Sequence, residues 1–130
     1  MADMQQAPTI SVVITTYNRP DALQAVVEAC FGQDDKNFEI IIADDGSTAN
    51  TKDCIDSLKS RSPVPLHHVW QPDQGFRAAM ARNRGTLAAA GDYIVFIDGD
   101  CIPQRDFISQ HRKLARRGYL VSGSRVLLSP

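Results

Sequence analysis

The chain has 130 residues, of which 43% are hydrophobic, and a formal net charge of -1, which suits one globular domain with a core of its own. Near-neutral charge excludes the broad basic face of a nucleic-acid binder and an acidic tail alike. Cys30, Cys54 and Cys101 are odd in number and lack a Cys-x-x-Cys pair, which argues against a disulfide framework or structural zinc and fits a reducing, cytoplasmic setting.

Residues 1–9 form a polar N-terminal tail without the apolar centre of a signal peptide, and no later run approaches the ~20 apolar residues that span a bilayer. A β-branched run at residues 10–15 predicts a buried strand that stops at Tyr17-Asn18-Arg19-Pro20. Leu23, Val26, Val27 and Cys30 then recur at helical spacing, with Pro20 suited to the first turn and Gly32 to the stop. Residues 38–43 are apolar on both faces, as in a central parallel strand, and run into Asp44-Asp45-Gly46-Ser47-Thr48. A helix capped by Ser47 or Thr48 extends to about Ser60. Pro63 and Pro65 precede a short strand at residues 66–70, and residues 71–75 make a turn. Strong helix formers fill residues 76–90, closed by Gly91. The strand at residues 93–97 leads directly into Asp98-Gly99-Asp100, Pro103 opens a helix through Arg117, and residues 119–122 suit one more strand. Alternating strands and helices predict an α/β fold, a mostly parallel sheet with helices on both faces. In such sheets ligands bind at the carboxyl ends of the strands, where the polar clusters of this sequence fall.

Asp98 and Asp100, separated by one glycine after a buried strand, suit a hard cation such as Mn2+ or Mg2+ that completes its shell with water and diphosphate oxygens. The same triplet also satisfies ordinary turn chemistry. Asp44 and Asp45 offer a carboxylate able to accept the imide proton of a uracil, or equally an acid near a helix start. Arg82 or Arg84 suits bidentate pairing with phosphate, the remaining arginines of the segment being a solvated helix face. Thr15 and Tyr17 are placed to line a base or ribose, although a Thr ending a strand is ordinary. His67 and His68, adjacent on a strand, point to opposite faces and share no metal. His111 lies among Arg112, Lys113, Arg116 and Arg117 on a polar helix face, and Cys101 suits a buried thiol.

Val12-Val13-Ile14-Thr15-Thr16-Tyr17-Asn18-Arg19-Pro20, Ile42-Ala43-Asp44-Asp45-Gly46-Ser47, Ala81-Arg82-Asn83-Arg84-Gly85 and residues 91–100 resemble, in this order and spacing, the family 2 glycosyltransferases of the GT-A (Rossmann-like) fold. The likeness covers the chain from Ile10 to about Val126 and implies a donor-binding domain over residues 10–130. It implies a UDP-sugar donor with Thr15 beside the base, Asp45 on uracil, Arg82 toward the diphosphate, and Asp98 with Asp100 as the metal pair, Asp100 ligating directly. It also implies inversion by a carboxylate base, with transfer to a glycan or other hydroxyl acceptor in polysaccharide biosynthesis. That base and the acceptor half are expected beyond Pro130, so the chain resembles the amino-terminal portion of a longer enzyme, with self-association through a truncated edge and a location at the inner face of the membrane as corollaries. Gly75-Phe76-Arg77-Ala78-Ala79 with Asp98-Gly99-Asp100-Cys101-Ile102-Pro103 is similar to chondroitin-polymerase-like and galactosyltransferase-like members. Two alternatives stand beside this reading: a nucleotide-sugar-binding module without chemistry, and a haloacid-dehalogenase-type phosphatase, whose Asp-x-Asp instead follows its first strand.

Overall fold

A computed structural model describes residues 7–127. The elements are β1 (Ile10–Thr16), α1 (Pro20–Phe31), β2 (Phe38–Asp44), α2 (Ala49–Ser60), β3 (Leu66–Trp70), α3 (Ala78–Ala88), β4 (Tyr93–Asp98) and α4 (Phe107–Leu114). The strands form one sheet in the order β3-β2-β1-β4, every pairing parallel, as expected of apolar runs separated by helices. The register pairs Thr15 with both Ala43 and Asp98, and Thr16 with Asp44, so the polar strand ends finish side by side.

Strand alternation divides the core in two. On one face Val12, Ile14, Ile40 and Ile42 pack under α1 and α2 with Leu23, Val26, Val27, Ile55, Leu58 and Ile108. Each of these fully buried aliphatic side chains contributes about 1.5–3 kcal/mol over its exposed state. On the other face Val13, Ile41 and Ala43 meet Ala81 of α3. Gly85 lets α3 lie this close: a Cβ there would stand 2.9 Å from Val13 Cγ1 and 3.2 Å from the Ala43 Cβ. Helices therefore cover both faces, as the sequence predicted.

Three elements differ from expectation. The third helix begins at Ala78 because Gly75 has φ 85° and the Arg77 N–H is already bonded to Asp45, and it ends where Ala89 turns extended. The last helix covers only Phe107–Leu114. Its expected first turn is spent on docking: the Gln104 carbonyl accepts from Gln33 Nε2 and the Arg105 carbonyl from the Asp34 N–H. Ala115 ends it in an extended conformation, and Gly118 follows with φ 83°. Residues 119–122 form no strand, since they pair with no ladder and Tyr119 and Leu120 stay exposed. Residues 1–6 of the expected polar tail lie outside the described residues, while Pro8 and Thr9 are tied into the fold. The Pro8 carbonyl accepts from Arg112, and Thr9 exchanges hydrogen bonds with Asp92.

Candidate functional site

The carboxyl ends of β1, β2 and β4 surround a cavity of about 370 Å³, its wall including Thr15, Tyr17, Asp45, Arg82, Asp98 and Asp100. Convergence follows from the parallel register, which ends neighbouring strands at one level. Gly99 locks the level of the acidic turn: its N–H donates to the Thr15 carbonyl at 2.7 Å, and a Cβ on Gly99 would lie 2.5 Å from that oxygen. Asp98 projects beside β1 and α3, where its Oδ1 accepts from Thr15 Oγ1 at 3.3 Å and lies 3.5 Å from the Arg82 guanidinium. One ligand atom each from Asp98, Asp100 and Cys101 falls within 4.8 Å of the others. Two hard carboxylates so placed suit a hard divalent cation, and the carboxylates are exposed to the cavity. Cys101 is only partly buried, because its Sγ turns to the Asp100 carboxylate at 3.6 Å instead of into the core.

Asp45, 5% exposed, is held from two sides: Oδ1 accepts from Gln71 Nε2 at 2.8 Å and Oδ2 from the Arg77 N–H at 2.8 Å. Tyr17 is fixed by donation from its hydroxyl to Asp73 Oδ2 at 2.7 Å, and this bond together with the Asp73 charge raises its pKa. Gly46, with φ 97°, allows the Asp73 backbone to approach, since a Cβ there would lie 2.5 Å from the Asp73 Cα. Asn18, also at positive φ, ties the loops together by donating its N–H to Ser47 Oγ and accepting the Thr48 N–H on Oδ1. Asn18 thus supplies the contact at the start of α2 that sequence gave to a Ser47 or Thr48 side chain.

Asp44 stands apart from the other candidates. Alternation turns it to the opposite face of the sheet, where it is fully buried and its carboxylate accepts from the Ser47 N–H at 2.9 Å and pairs with His68 Nε2 at 2.8 Å. Burial alone would raise this carboxyl, but the hydrogen bonds from His68 and Ser47 outweigh it and hold the pKa below the usual range. Asp44 braces the β2 end and does not line the cavity. His67 points the other way, toward Glu39, as predicted for adjacent strand residues. His111 is not on a solvated face either. It is partly buried against Phe107 and the Tyr93 hydroxyl, and burial lowers its pKa. Of the three arginines considered around α3, Arg82 alone lines the cavity; Arg84 is exposed and Arg77 bonds the Gln74 carbonyl.

Sequence reasoning missed Gln71 and Asp73, which hold Asp45 and Tyr17, and Arg19, Phe76 and Arg125 on the cavity wall. Gln71 and Asp73 carry no signal beyond turn composition. A second cavity of about 350 Å³ lies on the Asp44 side. Its polar groups are engaged internally, Lys52 with Asp56, His68 with Asp44, and the Trp70 indole N–H with the Ser47 carbonyl.

The chain resembles known glycosyltransferases in sequence and in fold. The chain is 38% identical over 91 residues to a UDP-Glc:alpha-D-GlcNAc-diphosphoundecaprenol beta-1,3-glucosyltransferase of Escherichia coli, covering 70% of this chain and 35% of that one. It is 32% identical over 107 residues to chondroitin synthase of Escherichia coli, covering 81% of this chain and 15% of that one. Among solved structures it resembles a mannosyltransferase of Pyrobaculum calidifontis in complex with GDP-Man and Mn2+, with TM-score 0.77 and 24% identity over 87% of this chain and 34% of that chain. The chain therefore spans about a third or less of these proteins. Its sheet and helices are those of the GT-A glycosyltransferases. The profile of Glycosyl transferase family 2 matches residues 11–128, nearly the whole length, and the chain belongs to that family.

Proposed function

We propose that the cavity binds a UDP-sugar donor with Mn2+ or Mg2+, for inverting transfer to a hydroxyl acceptor such as a glycan in polysaccharide biosynthesis. The observation that carries the reading is convergence: of the sequence candidates, Thr15, Tyr17, Asp45, Arg82, Asp98 and Asp100 line the same cavity at the strand ends, while Asp44 and Arg84 do not. Asp45 is the acceptor for the base, Thr15 and Tyr17 flank base and ribose, Arg82 faces the diphosphate, and Asp100 with Asp98 hold the cation. When bound, the cation neutralises charge that builds on the departing diphosphate. Arg82 adds a guanidinium on the same wall, held at Asp98 until a phosphate competes for it. Every carboxylate on the wall has a role in this reading, and none is assigned as the base that deprotonates the acceptor.

Three free cysteines fit a cytoplasmic setting, with the inner face of the membrane as the place of work, and no helix among the described residues is long and apolar enough to cross a membrane. The open edge of β4, with Phe96 half exposed beside it, is the surface for self-association, which sedimentation over a concentration series tests.

Calorimetric titration of UDP with Mn2+, repeated with chelator and with Asp100→Ala, tests the site. Binding that needs both metal and Asp100 supports the reading, and binding indifferent to both refutes the metal assignment. Sugar transfer to any hydroxyl acceptor separates a transferase from a module that only holds the nucleotide.

A further inference from the structure

We infer that Gln71 is a specificity-determining positioning residue, which fixes the orientation of the Asp45 carboxylate and so aims its free lone pairs at a base with a ring N–H. The inference rests on the donor reading above and deepens it. Gln71 is 2% exposed, and its Nε2 lies 2.8 Å from Asp45 Oδ1 and 3.2 Å from the Arg77 carbonyl. Both neighbours are acceptors, so the amide must turn its NH2 group to them. Flipping it would set three oxygens against one another. The remaining amide oxygen is buried with no partner, so the orientation is held at the expense of one unmade hydrogen bond.

With Gln71 Nε2 on one oxygen and the Arg77 N–H on the other, the Asp45 carboxylate is held in one orientation by two donors. The lone pairs left toward the cavity can only accept. A pyrimidine held there by its ribose and diphosphate meets an acceptor at ring position N3. Uracil offers N3–H at that point, whereas cytosine offers a lone pair, and the two rings have the same shape. Discrimination therefore comes from polarity and not from size. Gln71 touches neither base nor metal in this scheme and acts only through Asp45.

Gln71→Met keeps the length of the side chain and removes its donor, so it separates packing from hydrogen bonding. The wild-type chain and this variant are titrated, with Mn2+ present, with UDP, CDP and inorganic diphosphate. The wild type is expected to prefer UDP over CDP by about tenfold or more, the scale of one hydrogen bond to a charged group. In Gln71→Met, UDP affinity falls by about tenfold and the preference narrows toward equality, while diphosphate binding holds because it does not involve the base. An unchanged UDP to CDP ratio in the variant overturns the inference. Parallel loss of UDP and diphosphate also overturns it, since Gln71 is then structural. A wild type that binds UDP and CDP equally removes the polarity argument but leaves the donor site standing. A wild type that binds neither UDP nor diphosphate removes the donor reading and this inference with it.

Discussion

Asp44→Ala separates the bracing acid from the reading acid beside it. The substitution deletes the acceptor of the Ser47 N–H at 2.9 Å and of His68 Nε2 at 2.8 Å, at a side chain with no solvent exposure. Hydrogen bonds to an ionised group are worth about 1.5–3 kcal/mol each, and water cannot replace them here, so the loss is roughly 3–5 kcal/mol. Against a typical domain stability of about 5–15 kcal/mol, that is a large fraction. Thermal unfolding is expected to shift down by about 10 °C or more. The Asp44 pKa is depressed in the folded state, so its contribution is complete above the ordinary carboxyl range and is lost as pH falls through the folded value. The acid limb of the wild-type stability curve should accordingly be steeper than that of Asp44→Ala. UDP affinity with Mn2+, measured well below the variant's midpoint, should stay within about threefold of wild type, less than one hydrogen bond to a charged group supplies. An unchanged midpoint with UDP binding abolished would refute the reasoning and return Asp44 to the ligand side.

Other substitutions test the packing that positions the site. Gly85→Val drives a branched side chain into Val13 and Ala43 and should cost about 2–3 kcal/mol of stability, read by denaturant unfolding; no loss would mean that α3 rides further from the sheet. Gly99→Ala collides with the Thr15 carbonyl and should displace the acidic turn, lowering metal-supported UDP affinity by about tenfold or more while most of the core survives. A variant in which Cys54 and Cys101 are both Ser leaves Cys30, whose thiol burial pushes up to about 12. It should resist thiol labelling at pH 8 until denaturant is added, and rapid labelling of the folded chain would contradict the packing of α1.

β1, β2 and β4 were legible because each is a short run dominated by β-branched and aromatic residues, β3 because Pro63 and Pro65 on one side and a turn on the other bound it, and α1 because its apolar residues recur at one spacing. The order of polar clusters was enough to place the candidate site. What composition could not supply was facing. Asp44 and Asp45 are chemically identical neighbours, and strand alternation alone sends one under α2 and the other into the cavity. Gln71 and Asp73 read as turn residues because their partners lie 26 and 56 positions away in the chain. Gly85 entered only as part of the Ala81–Gly85 motif, and its packing purpose is visible only once Val13 and Ala43 stand opposite. The overlong last helix and the strand expected at residues 119–122 fail for a related reason. Local propensity favoured them, but docking to Gln33 and Asp34 took the first turn of the helix, and no neighbouring strand was in reach of the second run.

The two walls of the cavity differ in what they allow. On one side the acidic turn is pinned to β1 by the Gly99 bond and a close backbone approach, so its carboxylates are set before any ligand arrives. On the other, Gly75 has open space around it and Phe76, on the cavity wall, stands 93% exposed. On the donor reading proposed above, the charged end of a ligand meets the fixed wall, and substitution at residues 75 and 76 is expected to leave that wall unchanged.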